Sequence, residues 1–485
     1  MPPKHVVFIL SDQHNANITG LHDPYVRTPA LNKLAQEGTS FDNCYCASPL
    51  CVPSRIAMLT GLLPSKTEVI TNQQALSSDT FTLAHSLGLA GYHTVLCGRM
   101  HFNGADQRHG FQQRLVGDMT PTIIGGADDN HEPTLTGTSG QTRVAVEKSG
   151  AGNSNVMEYD RAVKEAACQF LETWDESQPL FLLVGFYGPH CPYVCPETLF
   201  SYYDGILPEP NLFEEFKQTV HPAIKKFYEL RGIRDLSAEE VKRAQAAYYG
   251  LVEILDQHVR DIVEAIEKRF NREETLLIYA SDHGDMAGDK GLFWKTNFYD
   301  GSSKVPLVIS RPGHIPEDKQ IHQAASLLDI APTLTNVCNA PALPEMDGEN
   351  LFSLISGETE DNPERFVISQ LGDVKGDRPS AMIRKGPWKL VAHYGYEHPQ
   401  LFHLEHDPDE LHDLADDQDY GSIRQELLEI LQQHWDGERF QQISERVIAH
   451  YNLFGQWVRA TKPEQQEHWK GKPENNYVIP LTQKK

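Results

Sequence analysis

Cys51, Pro53 and Arg55 place a nucleophile, a helix start and a cation within five residues of one another. The run from Cys51 to Gly61 is mostly apolar after its first turn, which predicts a helix that begins at or just before Cys51. Proline is tolerated in a first turn because its missing N–H would have no helical partner there. Free N–H groups at such an end favour an anion. Cys51 is therefore either a nucleophile beside an anionic substrate or a buried structural thiol, and this run alone leaves both open.

Polar side chains also follow four predicted strands, at the point where each strand ends. Apolar runs at residues 6–10, 94–97, 180–186 and 275–280 are typical of strands buried on both faces. The polar residues that follow them are Asp12 and Gln13, Arg99 and His101, His190, and Asp282 and His283. Because the carboxyl ends of parallel strands meet in one crevice, we expect these side chains to converge.

The convergence predicts a metal site. Asp12, Gln13, Asp282 and His283 would offer oxygen donors and one imidazole to a divalent cation. Such donors suit Ca²⁺, Mg²⁺ or Mn²⁺ better than zinc, which favours nitrogen and sulfur.

Strands and helices alternate through most of the chain, and residues 238–269 carry the longest helical pattern. This alternation predicts an α/β fold with a large, mixed, mostly parallel sheet between helices. A helix is also expected at residues 324–335. Short strands and two helices after about residue 360 predict a smaller C-terminal α+β subdomain. We therefore expect a catalytic domain at 1–360, the subdomain at 361–460 and a tail at 461–485.

Two segments lack periodicity. Residues 103–154 are rich in Gly, Asp, Thr and Asn, which predicts a long excursion over the sheet edge, of a kind that is usually functional or mobile. The tail is polar, and we expect it to be disordered or draped on a neighbour, with Trp469 and Tyr477 as possible anchors. We therefore expect that the chain can assemble into a homo-oligomer.

Composition excludes some partners. The formal net charge of −24 over 485 residues makes nucleic acid and anionic membrane surfaces poor partners. No signal peptide or membrane-spanning run is visible, although a removed leader would leave the same sequence. The eight cysteines show no paired zinc spacing and are expected in a reducing compartment. We therefore expect a cytoplasmic protein.

Six motifs occur in an order that resembles the formylglycine-dependent sulfatases of the alkaline phosphatase superfamily. They are Asp12, Cys51-x-Pro-Ser-Arg55, Gly98-Arg99-x-His101, Gly188-Pro189-His190, Ser281-Asp282-His283-Gly284-Asp285 and Lys295. Residues 401–408 are similar to a strand of that family's C-terminal subdomain. Residues 98–102, 106–111 and 157–160 look most like the choline sulfatase branch, and the metal-site pairs also fit the neighbouring phosphonate monoester hydrolases.

The resemblance implies a modified cysteine and a metal. A maturation enzyme would convert Cys51 to formylglycine, whose hydrate attacks the sulfur of a small-molecule sulfate ester. One divalent cation, Ca²⁺ in preference to Mg²⁺ or Mn²⁺, would be held by Asp12, Gln13, Cys51, Asp282 and His283. The geminal diol releases sulfate by collapsing to the aldehyde, so no second attack by water is needed.

The resemblance also implies roles for the remaining candidate catalytic residues. Arg55 would hold the diol, and His101 would help to deprotonate it. Arg99, His190 and Lys295 would neutralise the charge of the ester, with His190 or Lys295 protonating the leaving oxygen.

Substrate specificity is less constrained by the sequence. Gln13 stands where sulfatases frequently have an aspartate, and Arg99 stands where they usually have a lysine. The planar guanidinium group of arginine binds oxyanions differently from the ammonium group of lysine. The excursion at 103–154 carries few aromatic rings and many polar groups, which favours a small sulfated carbohydrate or an alkyl sulfate over choline sulfate. The alternatives are a phosphonate monoester or phosphodiester hydrolase, and a non-catalytic module that binds sulfated glycans.

Overall fold

The computed structural model describes residues 1–126, 141–374 and 376–480. Its strands are β1 (His5–Asp12), β2 (Gly38–Phe41), β3 (Cys44–Tyr45), β4 (His93–Gly98), β5 (Gln113–Arg114), β6 (Gly150–Asn153), β7 (Leu180–Pro189), β8 (Val194–Cys195), β9 (Thr275–Ser281), β10 (Leu307–Ser310), β11 (Lys319–Ile321), β12 (Ala325–Ser326), β13 (Phe366–Leu371), β14 (Ser380–Lys385), β15 (Trp388–His393), β16 (Gln400–His403) and β17 (Tyr477–Val478).

The α-helices alternate with these strands. They are α1 (Pro29–Gln36), α2 (Cys51–Thr60), α3 (Pro64–Thr67), α4 (Leu83–Leu89), α5 (Arg143–Glu147), α6 (Asn155–Thr173), α7 (Glu197–Ile206), α8 (Glu214–Thr219), α9 (Pro222–Arg231), α10 (Ala238–Arg269), α11 (Asp300–Ser303), α12 (Ile330–Val337), α13 (Phe352–Ile355), α14 (Gly421–His434) and α15 (Gly437–Thr461).

The main sheet has the strand order β11-β2-β10-β9-β1-β7-β4-β5 within the described residues. Its central strands β9, β1, β7 and β4 are parallel, and β10 runs antiparallel between β9 and β2. The predicted mixed, mostly parallel sheet is confirmed. Because β1, β7, β4 and β9 point the same way, their carboxyl ends form one edge, where ligands collect in open sheets of this kind.

Helices bury both faces of this sheet. Val6 and Phe8 pack in one apolar cluster with residues of α2, α4 and α12. Val7 and Ile9 alternate onto the other face, in a cluster with residues of α6 and α10. A strand buried on both faces must be apolar throughout, which explains why β1 reads as a continuous apolar run.

A second sheet of order β13-β14-β15-β16 is antiparallel, and it packs with α14 through a cluster that includes Ile383, Leu390 and Leu427. This sheet and α14 confirm the predicted smaller C-terminal α+β subdomain. The division of the chain at residues 360 and 460 stays a prediction. In the described ranges of the chain, every helix is too short or too polar to span a membrane.

Several expectations on local structure can be compared with the elements. The helix at 238–269 is confirmed as α10, which starts at a capping box of Ser237 and Glu240. The helix expected at 324–335 is wrong at its start, because β12 and a 3₁₀ turn at Leu327–Asp329 precede α12. Residues 127–140 of the excursion lie outside the described residues. The eight cysteines all lie within the described residues, and no disulfide joins any two of them.

The described part of the tail packs on its own chain. The Trp469 N–H donates to the Asp118 carbonyl at 2.8 Å, and the Trp469 ring contacts Tyr159. Tyr477 and Val478 pair with β6 in an antiparallel bridge. This differs from the expected disordered or neighbour-draped tail, because two aromatic-bearing stretches find partners on the excursion and on α6.

Candidate active site

Cys51 is the first residue of α2, and its thiol lies at the carboxyl edge of the main sheet. Leu50 caps the helix in an extended conformation, and Cys51 is 1% exposed. The Sγ atom lies 3.1 Å from His283 Nε2, 3.3 Å from Lys295 Nζ and 3.7 Å from Asp12 Oδ1. The structure thus places the helix start and three strand-end or loop residues around one sulfur atom, which stands where the sulfatase resemblance expects formylglycine.

Asp12, Cys51, Asp282 and His283 form a fully buried group whose ligand atoms all lie within 4.8 Å of one another. His283 Nε2 is 3.6 Å from Asp12 Oδ1 and 3.6 Å from Asp282 Oδ1. Two carboxylate oxygens and an imidazole nitrogen at these separations fit one divalent cation with a preference for oxygen donors.

Hydrogen bonds orient each of these donors. His283 Nδ1 lies 3.0 Å from the Gly284 carbonyl and donates to it, which leaves Nε2 as the lone-pair nitrogen. Arg55 donates from Nη2 to Asp12 Oδ2 at 3.1 Å and from Nε to Asp282 Oδ2 at 2.7 Å. One oxygen of each carboxylate is thereby held by Arg55, and the other faces the group. The donor set therefore fits a bound metal.

Gln13 lies beside this group but its side chain has other partners. Its backbone is left-handed, with φ 69°, and its N–H donates to Asp282 Oδ1 at 3.1 Å. Its Oε1 accepts from Lys295 Nζ at 2.6 Å, and its Nε2 donates to Asp285 Oδ2 at 2.5 Å. In this arrangement Gln13 anchors Lys295, and its role as a metal ligand stays a prediction.

Arg99 is 1% exposed, and its guanidinium group contacts the site through Nε and Nη2. Nε donates to Asp12 Oδ2 at 2.6 Å, and Nη2 donates to His101 Nδ1 at 2.8 Å. The group also lies 4.0 Å over the Tyr187 ring. Because a guanidinium can only donate, His101 Nδ1 is the acceptor and the proton of the neutral ring is on Nε2.

His190 follows β7 and is presented by a turn that Asp160 holds. The Asp160 carboxylate accepts from the N–H groups of Tyr187 and Gly188, both at 2.7 Å. His190 Nδ1 lies 2.7 Å from the Cys191 carbonyl and donates to it. Burial, with the Lys295 ammonium nearby, lowers the pKa of His190 to about 3. The ring is therefore neutral, with a bare Nε2.

The thiol of Cys51 lies in an electropositive environment. Burial and the Asp12 carboxylate raise its pKa, but the Lys295 ammonium and a hydrogen bond from His101 oppose them, and the pKa of the thiol lies well below its ordinary value. Helix position and cationic neighbours act in the same direction. The site is thus built to hold negative charge on the atom at position 51.

Every candidate residue predicted from the sequence lies in this region, although their roles stay predictions. The sequence interpretation missed Asp118, Thr120, Tyr187 and Asp160, which hold or face Arg99 and the His190 turn. Asp160 is the last residue of the motif at 157–160, and Tyr187 directly precedes the motif that starts at Gly188, so both positions carried a signal in the sequence. Asp118 and Thr120 lie in the aperiodic excursion, where no spacing pattern marks them.

Comparisons with known proteins agree with this geometry. The profile described as "Sulfatase" matches residues 4–340, and one described as "N-sulphoglucosamine sulphohydrolase, C-terminal" matches residues 288–436. A choline-sulfatase of Rhizobium meliloti (strain 1021) is 34% identical over 464 residues, covering 90% of this chain and 87% of the relative. An arylsulfatase of Clostridium perfringens (strain 13 / Type A) is 28% identical, over 89% of this chain and 94% of the relative.

Solved structures share the fold. A phosphonate monoester hydrolase of Agrobacterium radiobacter superposes with a TM-score of 0.75 at 23% identity, over 90% of this chain and 96% of that one. A protein in complex with its substrate D-glucosamine-2-N,6-O-disulfate superposes with a TM-score of 0.73 at 19% identity, over 89% and 97%. Family membership implies a divalent metal and a formylglycine-modified cysteine, which the buried group around Cys51 accommodates. This chain belongs to the sulfatase family and is a sulfuric ester hydrolase.

Proposed function

We propose that this sulfatase acts on a small sulfated carbohydrate or an alkyl sulfate, with Cys51 converted to formylglycine and Ca²⁺ held at the buried carboxylates. The observation that carries the proposal is the fully buried group of Asp12, Cys51, Asp282 and His283 with Arg55, Arg99 and Lys295 around it. The hydrated aldehyde would supply the attacking hydroxyl, and the cation would polarise the sulfate oxygens.

Lys295 is the proposed donor to the leaving oxygen. Its Nζ already reaches within 3.3 Å of the Cys51 sulfur, and its pKa is raised, because neighbouring anions outweigh burial. His190 has the opposite character, since its one ring proton is used by the Cys191 carbonyl. We therefore assign proton donation to Lys295, and assign to His190 the acceptance of a hydrogen bond from the substrate.

His101 would take part in proton transfer at residue 51. The neutral ring carries its proton on Nε2, because Arg99 donates to Nδ1. With Arg99 in place on Nδ1, Nε2–H would donate a hydrogen bond to an oxygen at residue 51. That bond would stabilise the negative charge that forms when a hydroxyl of the hydrate loses its proton, and in this way His101 would help the deprotonation.

Two aromatic rings in the described part of the chain, those of Phe227 and Tyr187, have a cation over one face. Arg231 donates to Thr296 Oγ1 at 2.8 Å, and its guanidinium lies 3.6 Å over the Phe227 ring. Arg99 covers Tyr187 in the same way. A quaternary ammonium needs an open aromatic face. This supports a hydroxyl-bearing or alkyl substrate over choline sulfate, although a relative carries the choline-sulfatase name.

The substrate proposal is tested by turnover on a matched panel. Glucosamine 6-sulfate, hexyl sulfate, choline sulfate and 4-nitrophenyl sulfate would be compared by kcat/KM with protein produced together with a formylglycine-generating enzyme. We expect the sugar or alkyl ester to exceed choline sulfate at least about tenfold, the equivalent of 1.4 kcal/mol. Fastest turnover of choline sulfate, with the sugar inert, would refute the substrate class.

A second candidate is hydrolysis of phosphonate monoesters or phosphodiesters at the same site. The likeness to a phosphonate monoester hydrolase and the planar fork of Arg99 favour it. The 4-nitrophenyl esters of sulfate and of phenylphosphonate share a leaving group. The kcat/KM for the sulfate ester divided by that for the phenylphosphonate ester therefore compares the two acid groups directly. A ratio above one supports sulfate as the main substrate.

The metal proposal has its own test. Elemental analysis of protein purified without chelator is expected to give one Ca²⁺ per chain, and substitution Asp282→Asn should remove it. Substoichiometric calcium with stoichiometric magnesium or manganese would correct the identity of the cation and leave the site in place.

A further inference from the structure

We propose that Asp118 is the positioning residue that holds both Arg99 and His101 for catalysis. This proposal rests on the proposed function, because it assigns to those two residues the binding of sulfate and the proton transfer at residue 51. Asp118 lies in the excursion after β5 and is 0% exposed. Within the described residues, its carboxylate contacts Arg99, His101, Thr120 and Arg114, and neither Cys51 nor a proposed metal ligand is among its hydrogen-bond or ion-pair partners.

One carboxylate oxygen of Asp118 holds the guanidinium of Arg99. Oδ1 accepts from Arg99 Nη1 at 3.2 Å, and from the Thr120 N–H at 3.0 Å and hydroxyl at 2.7 Å. Thr120 Oγ1 also accepts from Arg99 Nη1 at 3.3 Å. With Asp12 on Nε, these bonds fix Arg99 at both ends of its fork, so the guanidinium plane cannot rotate without breaking one of them.

The other oxygen holds the backbone of His101. Oδ2 accepts from the His101 N–H at 2.7 Å. His101 has φ 56°, in the left-handed region that a residue with a Cβ rarely adopts and that costs about 1–3 kcal/mol. The bond to a buried carboxylate offsets part of that cost. Asp118 therefore determines the direction in which the His101 ring leaves the chain.

The chain in turn holds Asp118 by its backbone. Its N–H donates to the Glu467 carbonyl at 3.0 Å, and its carbonyl accepts from the Trp469 N–H at 2.8 Å. Both side-chain oxygens of Asp118 act only as hydrogen-bond acceptors. In asparagine an NH₂ group would replace one of these oxygens, and in either orientation of the amide it would face an N–H group. Asp118→Asn is therefore nearly isosteric but breaks one of the two holds.

The test compares Asp118→Asn with Asp106→Asn. Asp106 lies in the same excursion, and its Oδ1 accepts from the N–H groups of Arg108 and His109, away from Arg99 and His101. For Asp118→Asn we expect kcat to fall about 100-fold, as for a small misplacement of catalytic groups. We also expect the Kd for inorganic sulfate, measured by calorimetry on the metal-loaded protein, to rise about tenfold. Asp106→Asn should leave both within about threefold.

The sulfate titration separates positioning from a merely structural role. If Asp118 only stabilised the excursion, the folded fraction would fall while the Kd and KM of the remaining protein stayed at the wild-type values, and the proposal would be overturned. The titration also needs no turnover. Its result could therefore be interpreted even if the protein hydrolysed none of the sulfate esters.

Thr120 provides a second pair of variants if Asp118→Asn does not fold. Thr120→Val keeps the shape but removes the hydroxyl that bridges Asp118 and Arg99, and it should raise the sulfate Kd about threefold. Thr120→Ser keeps the hydroxyl and should restore the wild-type value. Equal Kd values for the valine and serine variants would contradict the proposal.

Discussion

The two oxygens of Asp12 have different partners, and this division organises the site at the scale of single residues. Oδ2 accepts from Arg55 and Arg99, and Oδ1 faces Cys51 and His283. Burial raises the pKa of Asp12, but the charges of Arg99, Arg55 and Lys295 hold it well below its ordinary value. Asp12 is therefore a carboxylate at every pH at which the protein works. The sequence predicts Asp12 in the site but cannot show which oxygen faces the metal.

Substitution of Lys295 is expected to show a leaving-group dependence. Without its ammonium the alcohol must leave as an alkoxide, which is much harder for an alkyl group than for 4-nitrophenolate. We expect Lys295→Met to reduce kcat/KM for hexyl sulfate about 10²–10⁴-fold, the usual size of general acid catalysis, and for 4-nitrophenyl sulfate much less. The measurement is kcat/KM over a series of sulfates with leaving groups of increasing pKa.

His190→Gln is the matched comparison. Glutamine retains a hydrogen-bonding group but has no imidazole, and the structure gives His190 no proton to donate at Nε2. We therefore expect an equal reduction for hexyl and 4-nitrophenyl sulfate. A steep leaving-group dependence in the His190 variant, with none in Lys295→Met, would reverse the two roles.

At the scale of elements, the strand ends were predictable and the supports of the site were not. A parallel strand that is buried on both faces must be apolar, so the sequence shows where β1, β4, β7 and β9 end and which polar residues follow them. Asp118 and the Trp469 segment are 351 positions apart and meet through backbone bonds. No periodicity encodes such a pairing, because backbone groups are the same in every residue.

Asp160 on α6 gives a prediction with a pH dependence. Burial raises its pKa from 3.8 to about 7, so it is a carboxylate above that pH and neutral below it. The carboxylate accepts two N–H groups of the His190 turn, whereas the amide of Asp160→Asn can accept through one oxygen only. We expect the loss of kcat/KM in Asp160→Asn to be about tenfold at pH about 8 and to shrink at pH about 6, where the wild-type group is itself protonated.

The measurement is the ratio of wild-type to Asp160→Asn kcat/KM across that pH range. Asp256→Asn is a useful control, because Asp256 is also buried and accepts two N–H groups, those of Ala30 and Leu31, but at α1. Its ratio should stay near one. A ratio for Asp160→Asn that does not change with pH would contradict the proposal that the Asp160 carboxyl group titrates in this range and holds the His190 turn.

At the scale of the whole molecule, a buried charge network joins the second sheet to the segment after Lys295. Lys389 of β15 is 0% exposed and donates to the Phe298 carbonyl, to Asp300 and to Glu410. The sequence did not reveal this contact, because nothing in a strand pattern separates a buried paired lysine from a surface one.

Lys389→Ala should destabilise the fold strongly. Removing the ammonium leaves the Asp300 and Glu410 carboxylates buried beside each other, and breaking a buried charge pair costs about 3–5 kcal/mol. Lys385→Ala on β14 is the control, since its pairs with Glu364 and Glu426 are near the surface and are worth about 0–1 kcal/mol. Denaturant unfolding measures both. Similar losses in the two variants would mean that the network contributes no more than a surface pair.

Self-association remains a proposal, and α15 supports it. The apolar side chains that it exposes are Ile448, Tyr451, Leu453, Phe454 and Trp457. Several large apolar side chains exposed on one helix are typical of an interaction surface. We expect light scattering to give a multiple of the chain mass, and Leu453→Lys with Trp457→Lys to give the monomer. A monomeric wild-type protein would refute the homo-oligomer.

The central claim is that Cys51 acts as formylglycine in sulfate ester hydrolysis, and one correlation tests it directly. Preparations made with increasing amounts of the maturation enzyme would be analysed for the fraction of the Cys51 peptide whose mass is lowered by about 18 Da, the change from thiol to aldehyde. We predict that kcat on 4-nitrophenyl sulfate rises in proportion to that fraction and extrapolates to zero without it. Equal turnover by unconverted protein would contradict the account.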